Sequence, residues 1–478
     1  MAAVEILANP DVIHERSARV VWALAWPAVL LNSLQVVNTL LDRGFTGRLP
    51  AAALTGYGAS TVVSFFMFSL GMAIATGATA IVSRAFGARD VPEFKRGAQE
   101  SLSLAAFGGL AIGLLTWLVK GAVASLVLPS TDVEAQHQMV RFLSAYAFGL
   151  PALFVIQTLA GALRGIGDTK SPMYISGIQI MLHISLNFLL IFPTRQIGVL
   201  TIPGAGLGLM GAGCALAGSA WLSAIGYICY MSRTPLGGLN PLRIPNLHWA
   251  FRILRIAIPA AVMGCLRVLS FTAFTLVLKQ VDDASSAIAA MSIAFAFESI
   301  MFMPAFGLSA ASAALVGQSL GMRNPDRAER LAWTAGHHGA IVTLCLASPI
   351  FLGAHAISMA ITDGKADIAQ HAAILLRFLC VTEFLFAYAM IRLGAMQGAG
   401  DTRRPLWISM GALWGLRVPL AIFLALPAGF ALGGFLPLPV GFGLGAIGAW
   451  IAMSLSQAVQ GVLAILAFRA GAWKTATV

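Results

Sequence analysis

The chain has 478 residues, of which 58% are hydrophobic and 10% charged, with a formal net charge of +11 and a mean hydropathy of +0.84. A water-soluble domain carries about 25% charged residues. This composition therefore excludes a soluble globular enzyme, a disordered protein and a disulfide scaffold, and defines an all-α polytopic membrane protein.

A helix needs about 20 mostly apolar residues to cross the hydrocarbon. Twelve such stretches are predicted: 18–42, 51–82, 98–119, 138–162, 172–193, 205–231, 252–278, 286–316, 332–359, 371–394, 405–427 and 443–468. The runs are too long, and alternate too little, for the strands of a barrel. Glu5, Asp11 and Glu15 precede the first run, so the N-terminus does not read as a cleavable signal peptide. The five cysteines all lie in apolar stretches and read as packing residues.

An even number of spans puts both termini on one side. Loops on that side hold twenty of the 30 Lys and Arg residues, from Arg16 to Lys474; the other side holds eight, and Arg267 and Arg417 fall inside spans. The positive-inside rule then places both termini in the cytoplasm of a multi-pass plasma (inner) membrane protein. The positive charge is topological, so the expected partner is the lipid bilayer and not nucleic acid.

The chain repeats itself. ALRGIGDTKSPM at 162–173 returns as AMQGAGDTRRPL at 395–406, an offset of 233. VSRAFGARD at 82–90 matches VGQSLGMRN at 316–324, GLGLMGAGCALAGS at 206–219 matches GFGLGAIGAWIAMS at 441–454 (offset 235), and Pro27 matches Pro259. These anchors imply duplication: a six-helix lobe over 1–231, a cytoplasmic linker over 232–251 with Pro235, Pro241 and Pro245, and a second lobe over 252–478. Both halves start on the same side, so the repeats are parallel, pseudo-symmetric bundles around a central cavity, the plan of an alternating-access transporter. The Gly-Asp-Thr segments, with Asp168 and Asp401, read as a turn and helix cap before Pro172 and Pro405. The sequence holds no phosphate loop, Cys-x-x-Cys or His-Glu-x-x-His, so no enzyme, ATP site or metal centre is expected.

Asp42, Glu298 and Glu383 are the acids inside apolar spans. An ionisable group in hydrocarbon costs at least ~2.5 kcal/mol, so it faces a cavity, pairs or cycles a proton. Each has a plainer reading as an ion pair: Asp42 with Arg43, Glu298 with Arg267, and Glu383 with Arg377 or Arg392. Arg417 needs a partner from the same pool. His183 and Asn187 lie four residues apart on one helix face, and together would form a polar patch facing span 1 and Asp42. Gln35, Asn38, Phe65, Met291 and Met303 are candidates for an adaptable substrate cavity.

The duplicated Gly-Asp-Thr segments, the glycine-rich entry to span 6 and the segment LQVVNTLLDRGFTGRLPAAALTGYG resemble the multidrug and toxic compound extrusion (MATE) family. The resemblance implies cation-coupled export of bulky cationic or amphipathic compounds, drugs among them, and places Asp42 on the family's membrane-embedded Asp. Where the proton-using pattern has Asn-x-x-x-Asp in span 5, this chain has His183 and Asn187. Where the sodium-using pattern has a Glu eight residues after the span-7 proline, it has Arg267. The proton is favoured over sodium as coupling ion; no other cofactor is implied, and a monomer is expected. A lipid or lipid-linked oligosaccharide flippase of the wider superfamily is the alternative, which Arg267 and Arg417 keep open.

Overall fold

The computed structural model describes residues 17–197, 200–362, 365–432, 436–437 and 440–478; Glu5, Asp11, Glu15 and Arg16 lie outside them. Among the described residues, twelve helices are long and apolar enough to cross a membrane: α1 (Ser17–Thr46), α2 (Ala51–Gly87), α3 (Val91–Val127), α4 (Val133–Gly165), α5 (Lys170–Leu190), α6 (Leu209–Met231), α7 (Leu247–Leu278), α8 (Ala284–Gly321), α9 (Pro325–Ile361), α10 (Ala366–Gly398), α11 (Arg403–Ala425) and α12 (Gly445–Arg469). Each matches a predicted span. Several run further than hydropathy alone suggests, because capped polar turns extend them past the apolar stretch.

The repeated motifs are those caps. After α2 and α8, Arg89 (φ 58°) and Arg323 (φ 56°) take the left-handed conformation at corresponding places. The next residue caps the following helix: Asp90 accepts from the Glu93 amide at 3.0 Å and Asn324 from the Arg327 amide at 2.9 Å. Gly167 (φ 87°) and Gly400 (φ 92°) make the equivalent turns before α5 and α11. There Asp168 accepts from the Ser171 amide at 3.0 Å and Asp401 from the Arg404 amide at 3.3 Å. In both Gly-Asp-Thr segments the Asp, not the Thr, makes the capping bond.

Two features differ from the sequence reading. A hairpin, β1 (Pro193–Ile197) with β2 (Leu200–Ala205), joins α5 to α6, and a shorter one, β3 (Ala431–Leu432) with β4 (Leu436–Pro437), joins α11 to α12. Much of their sequence is apolar, so hydropathy merges it with the flanking spans. The glycine entry to the sixth span of each half also pairs differently. Gly206 and Gly208, with φ of 62° and 58°, correspond to Gly443 and Gly445, with 63° and 58°. The offset there is 237, not 235, because the second half spends extra residues between its fifth and sixth helices.

Within each half the fourth helix is central: α4 packs on α2, α3 and α6, as α10 packs on α8, α9 and α12. Between halves α1 lies on α8, α7 on α2, and α2 on α8, so the contacts obey a pseudo-two-fold relation. The buried residues of α2 concentrate over Gly71–Ala85, those of α8 over Pro304–Leu320 and those of α1 over Val20–Pro27. The halves therefore close against each other on the side of the termini and diverge towards the far side.

That seal depends on missing side chains. A Cβ at Gly87 would lie 2.0 Å from the Gln318 carbonyl oxygen, and one at Gly321 would lie 2.1 Å from that of Arg84. Gln318 ties the same seam by donating to the Gly165 carbonyl at 2.8 Å. Gly87→Ala is expected to wedge α2 from α8 and favour the opposite access state. In a cysteine-depleted background, an impermeant thiol reagent on the termini side should then label Ser83→Cys several-fold faster; an unchanged rate would show that the seal lies elsewhere.

Candidate functional site: a carboxyl cluster and a cationic chamber

α1 and α5 pack together in the N-terminal half, and their polar residues meet. Asp42 Oδ1 accepts from Asn187 Nδ2 at 2.7 Å, and His183 Nε2 lies 3.0 and 3.2 Å from the two carboxyl oxygens. Asn38, one turn before Asp42, adds its Nδ2 at 3.5 Å. His183 and Asn187 are buried, whereas the Asp42 side chain keeps 17% exposure. The i, i+4 spacing on α5 sets His183 and Asn187 side by side, 3.1 Å apart. Asp42 does not pair with Arg43, which turns to an outer cavity instead. Beyond the cluster Phe45 packs edgewise on Phe188 and Phe192, and Arg195 of β1 stacks 4.0 and 4.4 Å from those two rings.

Two cavities lie between the halves. The outer one, of about 460 Å³, is lined by Gln35, Arg43, Phe271, Met291, Phe295 and Met303. The central one, of about 210 Å³, is lined by Phe65, Phe68, Met72, Phe306 and Met390 together with Arg164 and Arg267. The candidates Gln35, Met291, Met303 and Phe65 thus line cavities, while Asn38 joins the carboxyl cluster. Among the described residues no Asp or Glu lines either cavity, so a cationic substrate meets no carboxylate of theirs there.

The C-terminal half departs from the expected ion pairs. Glu298 accepts from Gln457 Nε2 at 2.8 Å, and the cation that acts on it is Arg417, not Arg267. A π-helical turn over Gly411–Arg417 brings Arg417 to Ser456, to whose Oγ it donates at 2.8 Å. Arg267 faces the chamber, and among the described residues its one hydrogen-bond contact is the Met390 sulfur at 3.8 Å. Glu383 is fully buried beside Glu298 and makes no hydrogen bond among the described residues. Its expected partner Arg392 lies nine residues on, half a turn out of phase at 100° per residue. Arg392 is instead enclosed by the rings of Trp333 (3.8 Å), Phe468 (4.9 Å) and Tyr388 (5.5 Å). Arg164 and Gln457 escaped the sequence reading: the first looked like a loop cation, the second an ordinary polar residue of a late span. Among the described residues no group of His, Cys, Asp and Glu could hold a metal.

Two parallel six-helix repeats, a chamber between them and a carboxyl cluster in one half define a multi-pass membrane transporter with a duplicated fold. The pattern of the MatE family matches residues 27–189 and 259–423, one segment in each repeat, and the chain belongs to that family. It is 27% identical to a probable multidrug resistance protein NorM of Thermotoga maritima, over 94% of this chain and 92% of the relative. It is 24% identical to the multidrug resistance protein MdtK of Proteus mirabilis, over 87% and 88% respectively. The fold superposes on an outward-facing multidrug resistance MATE transporter with a TM-score of 0.85 at 19% identity, covering 100% of this chain and 99% of the other. Membership carries multidrug efflux, a transport activity, as the family function.

Proposed function

We propose that the protein is a proton-coupled antiporter that exports amphipathic organic compounds across the plasma membrane, working as a monomer with both termini in the cytoplasm. The observation that carries this reading is the Asp42 carboxyl held by His183 and Asn187 within the α1–α5 packing. The Lys and Arg asymmetry supports a cytoplasmic position for the closed side, which makes this the outward-open state. Protonating Asp42 from outside removes the charge that draws the Asn187 and His183 donors, which changes how α1 seats on α5. Pro27 inside α1 supplies the bend, and the contact of α1 with α8 carries the change to the other half. The six-helix lobes 1–231 and 252–478 then rock about their shared interface. Proton and substrate drive the exchange only because each binds the two access states unequally.

The central chamber, at about 210 Å³, is smaller than the roughly 300–1,000 Å³ of drug-sized sites and favours a small molecule over a lipid-linked oligosaccharide. The test is flux through purified protein in sealed vesicles, using amphipathic probes of both charge signs. Collapsing the proton gradient should stop export and collapsing a sodium gradient should not; the reverse pattern would make sodium the coupling ion.

His183→Ala should change the pH dependence of export and leave substrate preference alone, because it removes the ring nitrogen that lies 3.0 Å from the Asp42 carboxyl. The groups facing this imidazole are Asp42 on α1 and Asn187 on its own helix. An unchanged pH profile with an altered substrate range would assign this face to the substrate path instead.

A further inference from the structure

We infer that the substrates are small aromatic organic anions, whose acid group is received by Arg267 in the central chamber, with Arg164 adding positive charge at the end of the chamber nearer the termini. This deepens the export reading above and rests on it. Among the described residues, Arg267 and Arg164 are the only ionisable side chains lining the chamber. Arg164 makes no side-chain hydrogen bond or ion pair among the described residues, and Arg267 has only the Met390 sulfur, a weak acceptor. The acids that might have neutralised them are engaged elsewhere. Asp168 accepts from the Ser171 amide at 3.0 Å and the Tyr230 hydroxyl at 3.2 Å, and Glu298 accepts from Gln457.

A guanidinium offers a planar fork of donors that matches a carboxylate, sulfonate or phosphate. Here two such groups line a mostly apolar chamber with no Asp or Glu among its described lining residues, an arrangement that favours an arriving anion. The rest of the wall is apolar and aromatic, with Phe65, Phe68 and Phe306 to receive a ring. A volume of about 210 Å³ suits one or two rings bearing an acid group. A cation would be placed beside two like charges. The charge balance also suits export: an anion leaving and a proton entering both move charge with an inside-negative potential, so the potential itself drives the exchange.

The test uses the full-length protein in proteoliposomes under one imposed proton gradient, with radiolabelled p-aminohippurate as the anion and ethidium as the cation. The wild type should transport p-aminohippurate, faster under an inside-negative potential. Arg267→Gln and Arg164→Gln should each raise its half-saturating concentration ten-fold or more, and Arg267→Glu should turn the preference towards ethidium. Thermal unfolding of the wild type needs no variant: p-aminohippurate should stabilise it and ethidium should not. Asp42-dependent ethidium transport without p-aminohippurate transport would overturn the anion assignment and leave proton-coupled export standing. Transport of p-aminohippurate indifferent to the proton gradient would do the opposite. Translocation of headgroup-labelled phosphatidylglycerol, with no p-aminohippurate transport or stabilisation, would overturn the free-anion assignment in favour of a lipid.

Discussion

Asp42→Asn is expected to reduce proton-driven export at least a hundred-fold, to the background of empty vesicles, while folded protein accumulates normally. The amide has the volume of the carboxyl, and its oxygen still accepts from Asn187 where Oδ1 now does, 2.7 Å away. Packing between α1 and α5 is therefore kept. What is lost is the exchangeable proton: an amide cannot alternate between charged and neutral forms, so the two access states no longer differ in their interaction with the external proton. Asp42→Glu should recover part of the flux, because the acid returns on a longer arm. Substrate binding, read as thermal stabilisation, should survive in Asp42→Asn, since Asp42 lines neither cavity. Wild-type, gradient-dependent flux in Asp42→Asn would remove this residue from the coupling site.

The fold was legible because its determinants are local or periodic. Twenty-residue apolar runs specify spans, and caps such as Asp90 and Asn324 recur at one offset because each half needs the same turn. The N-half cluster was legible for a similar reason: four-residue spacing on α5 fixes His183 and Asn187 on one face, and an acid on α1 is their natural complement. The hairpins were not, since apolar strand and apolar helix look alike in hydropathy. Nor were the partners of the C-half charges, which depend on helix rotation. Glu298 meets Gln457, a residue with no charge to attract notice, and the π turn that delivers Arg417 has no plain sequence mark. The chamber's positive lining needed the structure as well. Arg164 and Arg267 are 103 positions apart in the chain and line one chamber only because α4 and α7 border the same space.

Arg417→Ala is expected to destabilise the C-terminal half by about 1–3 kcal/mol, the usual result of removing a buried, charged hydrogen-bond donor. Arg417 is the cation acting on Glu298, and its Nε also ties α11 to α12 through Ser456 at 2.8 Å. Glu298→Gln in the same chain should restore much of the loss, since the amide removes the orphaned charge and can still accept from Gln457. The Arg267→Ala and Glu298→Gln pair, by contrast, should be additive to within about 0.5 kcal/mol, as residues without a shared interaction are. Chemical denaturation of the purified protein in bicelles, run as two double-mutant cycles, separates the cases. Coupling in the Arg417–Glu298 cycle but not in the Arg267–Glu298 cycle leaves Arg267 free to face substrate. Strong coupling between Arg267 and Glu298 would mean that Arg267 is neutralised from within, and the chamber would lose half of the charge that selects an anion.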